Sequence, residues 1–186
     1  MESGTSCGKS SCGNVCMPGW MSNSSMRNPS FWAIILVAIL VLVIMYRTVT
    51  GPRGYNSDWY KNQRKTWLAP SMSVMLGTWT VVYILFVVAC LVAFSRLQHP
   101  GCIMAGFLIF SFLFVLWIMA VFDKHMLMYG VVAIGLMLLL VLWMTWVVSP
   151  HHIFSYVIMW VVFAVVLLTG YFNLNAYILN PSSDGA

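Results

Sequence analysis

The chain has 186 residues, of which 61% are hydrophobic and 7% charged, against roughly 45–50% and about 25% in soluble domains. Nine basic and four acidic residues leave a formal charge of +5, yet most of the basic ones lie between the apolar runs while the aromatics lie inside them. This excludes a soluble globule and a nucleic-acid module, whose Lys/Arg stripe would interleave with solvent-facing aromatics; it marks one membrane-embedded unit between two short tails.

Residues 1–30, rich in Ser, Gly, Asn and Cys with no apolar periodicity, read as a disordered tail. Its Cys7, Cys12 and Cys16 follow a C-x4-C-x3-C spacing that matches no zinc module; palmitoylation, an inter-chain disulfide and no role at all stay open. The first apolar segment covers about 31–48, close to the roughly 20 residues that a bilayer core needs. No small-x-small cleavage site follows it, so it reads as a retained helix rather than a signal peptide.

A long connection, about 47–71, comes next and holds Arg53, Asp58, Trp59, Tyr60, Lys61, Arg64, Lys65, Trp67 and Pro70. A loop of this length in a small membrane protein is usually functional. Four more apolar segments follow, at about 74–94, 101–122, 126–149 and 153–179, and residues 181–186 form a C-terminal tail. The connections around Arg96–Pro100, Asp123–His125 and Pro150–His152 are brief, which makes neighbouring segments antiparallel hairpins. The expected fold is all-α: a bundle of five transmembrane helices spanning 31–180.

Five spans place the termini on opposite sides. Arg47, Arg53, Lys61, Arg64, Lys65 and Lys124 lie on the side of the long loop and the C-terminus, against Lys9, Arg27 and Arg96 on the other. Since cytoplasmic flanks carry the Lys/Arg excess, the first loop and the C-terminus are expected in the cytosol. At the start of the third segment, Gly101, Ala105 and Gly106 make a small-residue surface that permits close helix approach, either within the bundle or in a homodimer.

Chemistry-bearing clusters are scarce. Adjacent histidines such as His151 and His152 project apart on a helix, with no Cys, Asp or Glu near them, so no metal site is expected. Asp123, Lys124 and His125 read as a surface turn. No Ser/His/Asp set, paired carboxylates or phosphate-cradling glycine loop is present, which argues against an ordinary hydrolase or phosphoryl-transfer enzyme. Trp32, Trp143 and Trp146 suit interfacial anchoring. At 3.6 residues per turn, Trp160, Phe163, Ala164, Leu167, Tyr171, Leu174 and Asn175 share one face of the fifth helix, and Trp79 and Tyr83 share one face of the second.

From the loop into the second segment the chain reads Trp59-Tyr60, Lys65, Trp67, Pro70, then Trp79-Thr80-Val81-Val82-Tyr83. This resembles the TspO/MBR family of tryptophan-rich sensory proteins and mitochondrial translocator proteins, whose usual motif is WYxxLxKPxWxPP followed by VWxxLY. Thr66, Leu68 and Ser71 depart from it. The fifth segment resembles the family pattern WVxFAxxLNxxIxxLN through Trp160, Val161, Phe163, Ala164, Leu167, Leu174 and Asn175, with Leu168 in place of the first asparagine and Tyr171 in place of the isoleucine. In the third segment Trp117 and Phe122 match, and Phe114 stands where asparagine is frequent.

The resemblance implies a cavity at the loop-side end of the bundle, surrounded by Tyr60, Trp79, Trp117, Trp160, Phe163 and Ala164 and closed by the first loop as a lid, with Trp59, Lys65, Trp67 and Pro70 in the lid. Tyr83, Leu167 and Tyr171 complete the expected ligand-binding set. The implied ligand class is porphyrin and related tetrapyrroles, stacked on indole faces, bound by a membrane receptor, sensor or carrier with no required cofactor. Light-dependent oxidation of bound porphyrin, carried by Trp79 and Trp160, is an alternative, as is a structural or interaction protein with a degenerate pocket. The family's sterol pattern is broken, because Tyr171 and Tyr177 are followed by no Lys or Arg; Lys124, Tyr129 and Val131 fit only a reversed version. The third helix is the implied homodimer surface, and the implied location is a mitochondrial outer membrane or a bacterial membrane.

Overall fold

A chain in lipid has no water to satisfy its backbone, so each crossing segment closes its own hydrogen bonds as a helix. The computed structural model describes residues 29–66, 69–96, 100–148 and 153–180. Trp67, Leu68, His151, His152, the predicted tail with Cys7, Cys12 and Cys16, and residues 181–186 lie outside the described residues. The elements are α1 (Pro29–Thr50), α2 (Asp58–Asn62), α3 (Met72–Arg96), α4 (Pro100–Ile118) continued by a π-helical turn (Met119–Asp123), α5 (Leu127–Val148) and α6 (Ile153–Leu179). Five of them are long and apolar enough to cross a membrane, and no strand occurs among the described residues. The protein is a multi-pass integral membrane protein.

The spans close into a ring in the order α1, α3, α6, α5, α4 and back to α1, with α3 and α4 also touching across it. The middle of the ring and the half away from the first loop are filled by aromatic rings. Phe86 and Phe110 lie 4.3 Å apart between centroids, and Phe114 stacks on Tyr83 at 5.4 Å and 10°. Gly106 belongs to this packing: a Cβ there would meet Met144 Sδ at 2.9 Å. Of the two readings of the small-residue surface, Gly106 thus serves close approach of α4 and α5 within the bundle. Gly101 and Ala105 remain exposed. The outward faces are apolar, as lipid requires, and Trp32, Trp143 and Trp146 are exposed near the end of the bundle opposite the lid.

The long connection is ordered by local chemistry. Tyr55 N–H bonds back to Val49 O (3.0 Å), turning the chain off α1. Gly54 packs so closely on the carbonyls of Thr48 and Val49 that a Cβ has no room. Ser57 caps α2, donating to Gly54 O (2.7 Å) and accepting from Tyr60 N–H (3.2 Å).

Two ties hold this loop over the bundle. Asn180, just past α6, accepts from Arg64 N–H (2.9 Å) and donates to Arg64 O (3.0 Å). His125 contacts Arg53 O through Nε2 (3.0 Å) and stacks on Trp59 at 4.1 Å and 9°. His125 has φ 58, a left-handed conformation uncommon outside glycine, held here by those two contacts. The predicted turn at 123–125 follows directly on the π-helical turn Met119–Asp123, with Lys124 N–H bonded to Met119 O (2.9 Å) and Met126 N–H to Ala120 O (2.8 Å). The π turn brings Val121 and Phe122 inward, both nearly fully buried. Arg53 pairs with Asp123 at 3.4 Å, exposed and correspondingly weak.

Candidate functional site

Beneath the lid the ring is hollow. A cavity of about 320 Å³ lies between α2 and the loop above and α3, the end of α4, and α6 at the sides. Trp59, Tyr60, Gln63, Lys65, Thr66, Ala69 and Pro70 form the roof; Val74, Met75, Thr78 and Trp79 come from α3; Trp117, Val121 and Phe122 come from α4 and its π turn. Leu127 adds one contact from α5, and Val165, Leu168, Thr169, Phe172, Asn173 and Ala176 complete the wall from α6. No lining residue comes from α1.

The floor is aromatic and rigid. Trp79 and Trp117 lie 5.3 Å apart between centroids, and both rest on Phe114, at 4.8 and 5.7 Å. Trp117 Nε1–H donates to Asn173 Oδ1 (3.2 Å), while Asn173 Nδ2 donates to Thr169 O one turn back (2.9 Å). An asparagine inside a span needs such partners, and this pair fixes one indole plane. Gly130 makes the arrangement possible, because a Cβ there would sit 2.5 Å from Val121 Cγ2, 3.5 Å from Asn173 Oδ1 and 3.6 Å from Trp117 Cδ1.

The roof is amphipathic. Tyr60 packs on Tyr55 (4.5 Å) and Phe122 (5.6 Å), and the Lys65 ammonium sits over the Tyr60 ring at 3.7 Å, a cation–π contact. Burial, with a smaller contribution from the Tyr55 phenol, pushes the Tyr60 hydroxyl well above its ordinary range, so it stays a neutral group. Desolvation lowers Lys65 below the usual lysine value. The arrangement offers flat apolar faces below, and hydroxyl, indole N–H, amide and ammonium groups above.

Of the residues expected at the site, Tyr60, Trp79 and Trp117 line the cavity, as do Trp59, Lys65 and Pro70 in the lid; Trp67 lies outside the described residues. Tyr83 does not line it. Its hydroxyl bonds Ser111 Oγ (2.8 Å) below the floor, where it is 1% exposed. Trp160, Phe163, Ala164, Leu167 and Tyr171 are also placed elsewhere. Phe163 is half-buried against the core, and Trp160, Leu167 and Tyr171 are 43%, 51% and 48% exposed on the outer surface, beside exposed Ala164.

At 100° per residue, the lining face of α6 lies roughly 150° round the helix from the expected one. Apolar periodicity cannot separate the two, because lipid accepts the same side chains as the interior. Trp79 and Trp160, expected together for light-driven oxidation, are accordingly not brought together.

The aromatic wall comes from α3, α4 and its π turn, with Phe172 from α6. Asn173, Thr169, Thr78 and Gln63 were missed; the legible signal was Asn173, an amide in the middle of an apolar run.

A profile of the TspO/MBR family matches residues 33–178, most of the chain. No curated protein matches the chain.

Proposed function

The chain belongs to the TspO/MBR family, and from that premise we propose that it is a membrane sensor or carrier whose lidded cavity binds a planar, largely apolar ligand of the tetrapyrrole class. The observation that carries this reading is the Trp79–Trp117 floor beneath an amphipathic roof. Flat indoles pre-set by Phe114 and Asn173 provide stacking area at little ordering cost, and the polar roof orients a ligand that has a polar edge.

The enclosed volume lies near the lower end of ligand sites, roughly 300–1,000 Å³. Val74 and Leu168, which both line the cavity, are also 57% and 54% exposed, so a ring larger than the enclosed space extends outward between α3 and α6. The lid, the π turn and the end of α6 are tied together at one end of the bundle. That end carries the Lys/Arg excess and is proposed to face the cytosol.

Titration of the purified protein with protoporphyrin, followed by indole fluorescence, tests the reading. Saturable quenching is expected, and Trp79→Leu with Trp117→Leu should weaken binding at least about tenfold through loss of stacking, worth roughly 0.5–1.5 kcal/mol per ring pair beyond its buried area. Trp160→Leu should leave the affinity unchanged. Absence of saturable quenching in the unmodified protein would overturn the proposal.

A further inference from the structure

Buried polar groups in folded proteins are nearly always hydrogen-bonded, and each exception calls for an explanation. Among the described residues two buried side-chain atoms have no partner, Trp59 Nε1 and Gln63 Oε1. Both belong to the roof of one cavity. Trp59 is in α2 and Gln63 is its C-cap residue, and the four-residue spacing brings the two side chains to the same side of this short helix. One is a donor and the other an acceptor, and neither is within reach of solvent.

No described residue compensates them. Trp59 spends its ring face on His125, which leaves its N–H free. The fifth position of the lid motif, leucine in its usual form, is Gln63 here, while the asparagine of the last-helix pattern is Leu168, which also lines the cavity. Relative to those patterns the wall holds one amide fewer and the roof one more.

Resting on the proposed ligand-binding role of this cavity, we infer that Trp59 and Gln63 form its polar anchor, selecting a ligand whose edge carries an adjacent donor and acceptor: a neutral carboxylic acid or a carboxamide. The ligand's acceptor takes the Trp59 N–H, and its O–H or N–H donates to the Gln63 amide oxygen. The terminal torsion of glutamine is broad and soft, so a small rotation turns the amide toward the cavity. The apolar body of the ligand then lies on the Trp79–Trp117 floor. An ester, which keeps the acceptor and lacks the donor, satisfies only half of the anchor.

The test compares protoporphyrin with its dimethyl ester at a pH of about 4, where the free carboxyls carry a proton, on the full chain in detergent, in the unmodified protein and in Gln63→Leu, Trp59→Phe and Lys65→Gln. Expected is a preference for the free acid of about tenfold, the worth of one to two hydrogen bonds. It should vanish in Gln63→Leu, where the ester still binds, and persist in Lys65→Gln; Trp59→Phe should weaken acid and ester alike. A preference that survives Gln63→Leu, or that disappears with Lys65→Gln alone, would overturn the anchor in favour of a charged carboxylate read by the ammonium.

A second measurement needs no ligand. Because replacing an unpaired buried polar group by an apolar one of similar shape is neutral or stabilising, Gln63→Leu should hold or raise the Tm, by up to about 3 °C. A fall in Tm would show Gln63 to be satisfied within the fold and would overturn the inference. Failure of both porphyrins to bind would remove the proposed function instead, with the Tm result still deciding whether Gln63 is unpaired.

Discussion

The two halves of the bundle are built from the same apolar alphabet, yet one is solid and the other hollow. Away from the lid, Phe86, Phe107 and Phe110 meet across α3 and α4 with 4.3 and 6.1 Å between centroids, and Met144 fills the space over Gly106. Toward the lid, Thr78, Thr169, Asn173 and Ala176 occupy the positions where such rings would stand, and they leave the cavity. The difference teaches that in a membrane protein side-chain volume and polarity, rather than hydrophobicity, decide where a site forms. Phe114, Trp79 and Trp117 mark the boundary, as the top of one region and the floor of the other.

Equal truncations should therefore cost unequal amounts. Phe110→Ala empties a ring site that is 1% exposed and should destabilise by about 3–5 kcal/mol. Phe172→Ala only enlarges an existing cavity and should cost about 2 kcal/mol less, since no new void is created. Thermal unfolding in detergent measures both; similar losses would abolish the distinction between the halves.

A smaller effect tests what keeps the hollow half open. Gly130→Ala drives a methyl into Val121 beside Asn173 and Trp117, with an expected cost of about 1–2 kcal/mol for overpacking and a roughly tenfold loss of porphyrin affinity. Gly77→Ala meets nothing within 4 Å and should raise stability by up to about 1 kcal/mol as a helix effect while leaving affinity alone. Matching losses at the two glycines would mean that the Val121–Trp117–Asn173 contact does not shape the site.

The most local expected effect concerns the lid. Asn180→Ala removes both bonds to Arg64 and a third to Ala176 O (2.7 Å). Lid opening should become easier by about 1–2 kcal/mol, read as faster amide exchange over residues 57–66, with exchange in the Phe-packed half unchanged. Acceleration throughout the bundle would show that the two halves do not open independently.

Much of this protein is determined by its sequence alone. Runs of some twenty apolar residues can only be helices in lipid, and the expected segments agree with the observed spans to within about two residues at each end. The lid motif, read through the family resemblance, also pointed to Trp59, Tyr60, Lys65, Pro70 and Trp79, all of which line the cavity.

Only the tertiary structure decided the rest. Which face of α6 turns inward has no hydrophobic signature: Trp160, Leu167 and Tyr171, expected at the cavity, face outward, and Asn173 and Thr169 line it instead. Whether Gly106 serves a dimer or the bundle depends on Met144, thirty-eight positions away in the chain. Lipid and protein interior reward the same side chains, and what separates them is contact between helices: the partner of an amide, the room beside a glycine, the ring beneath a ring.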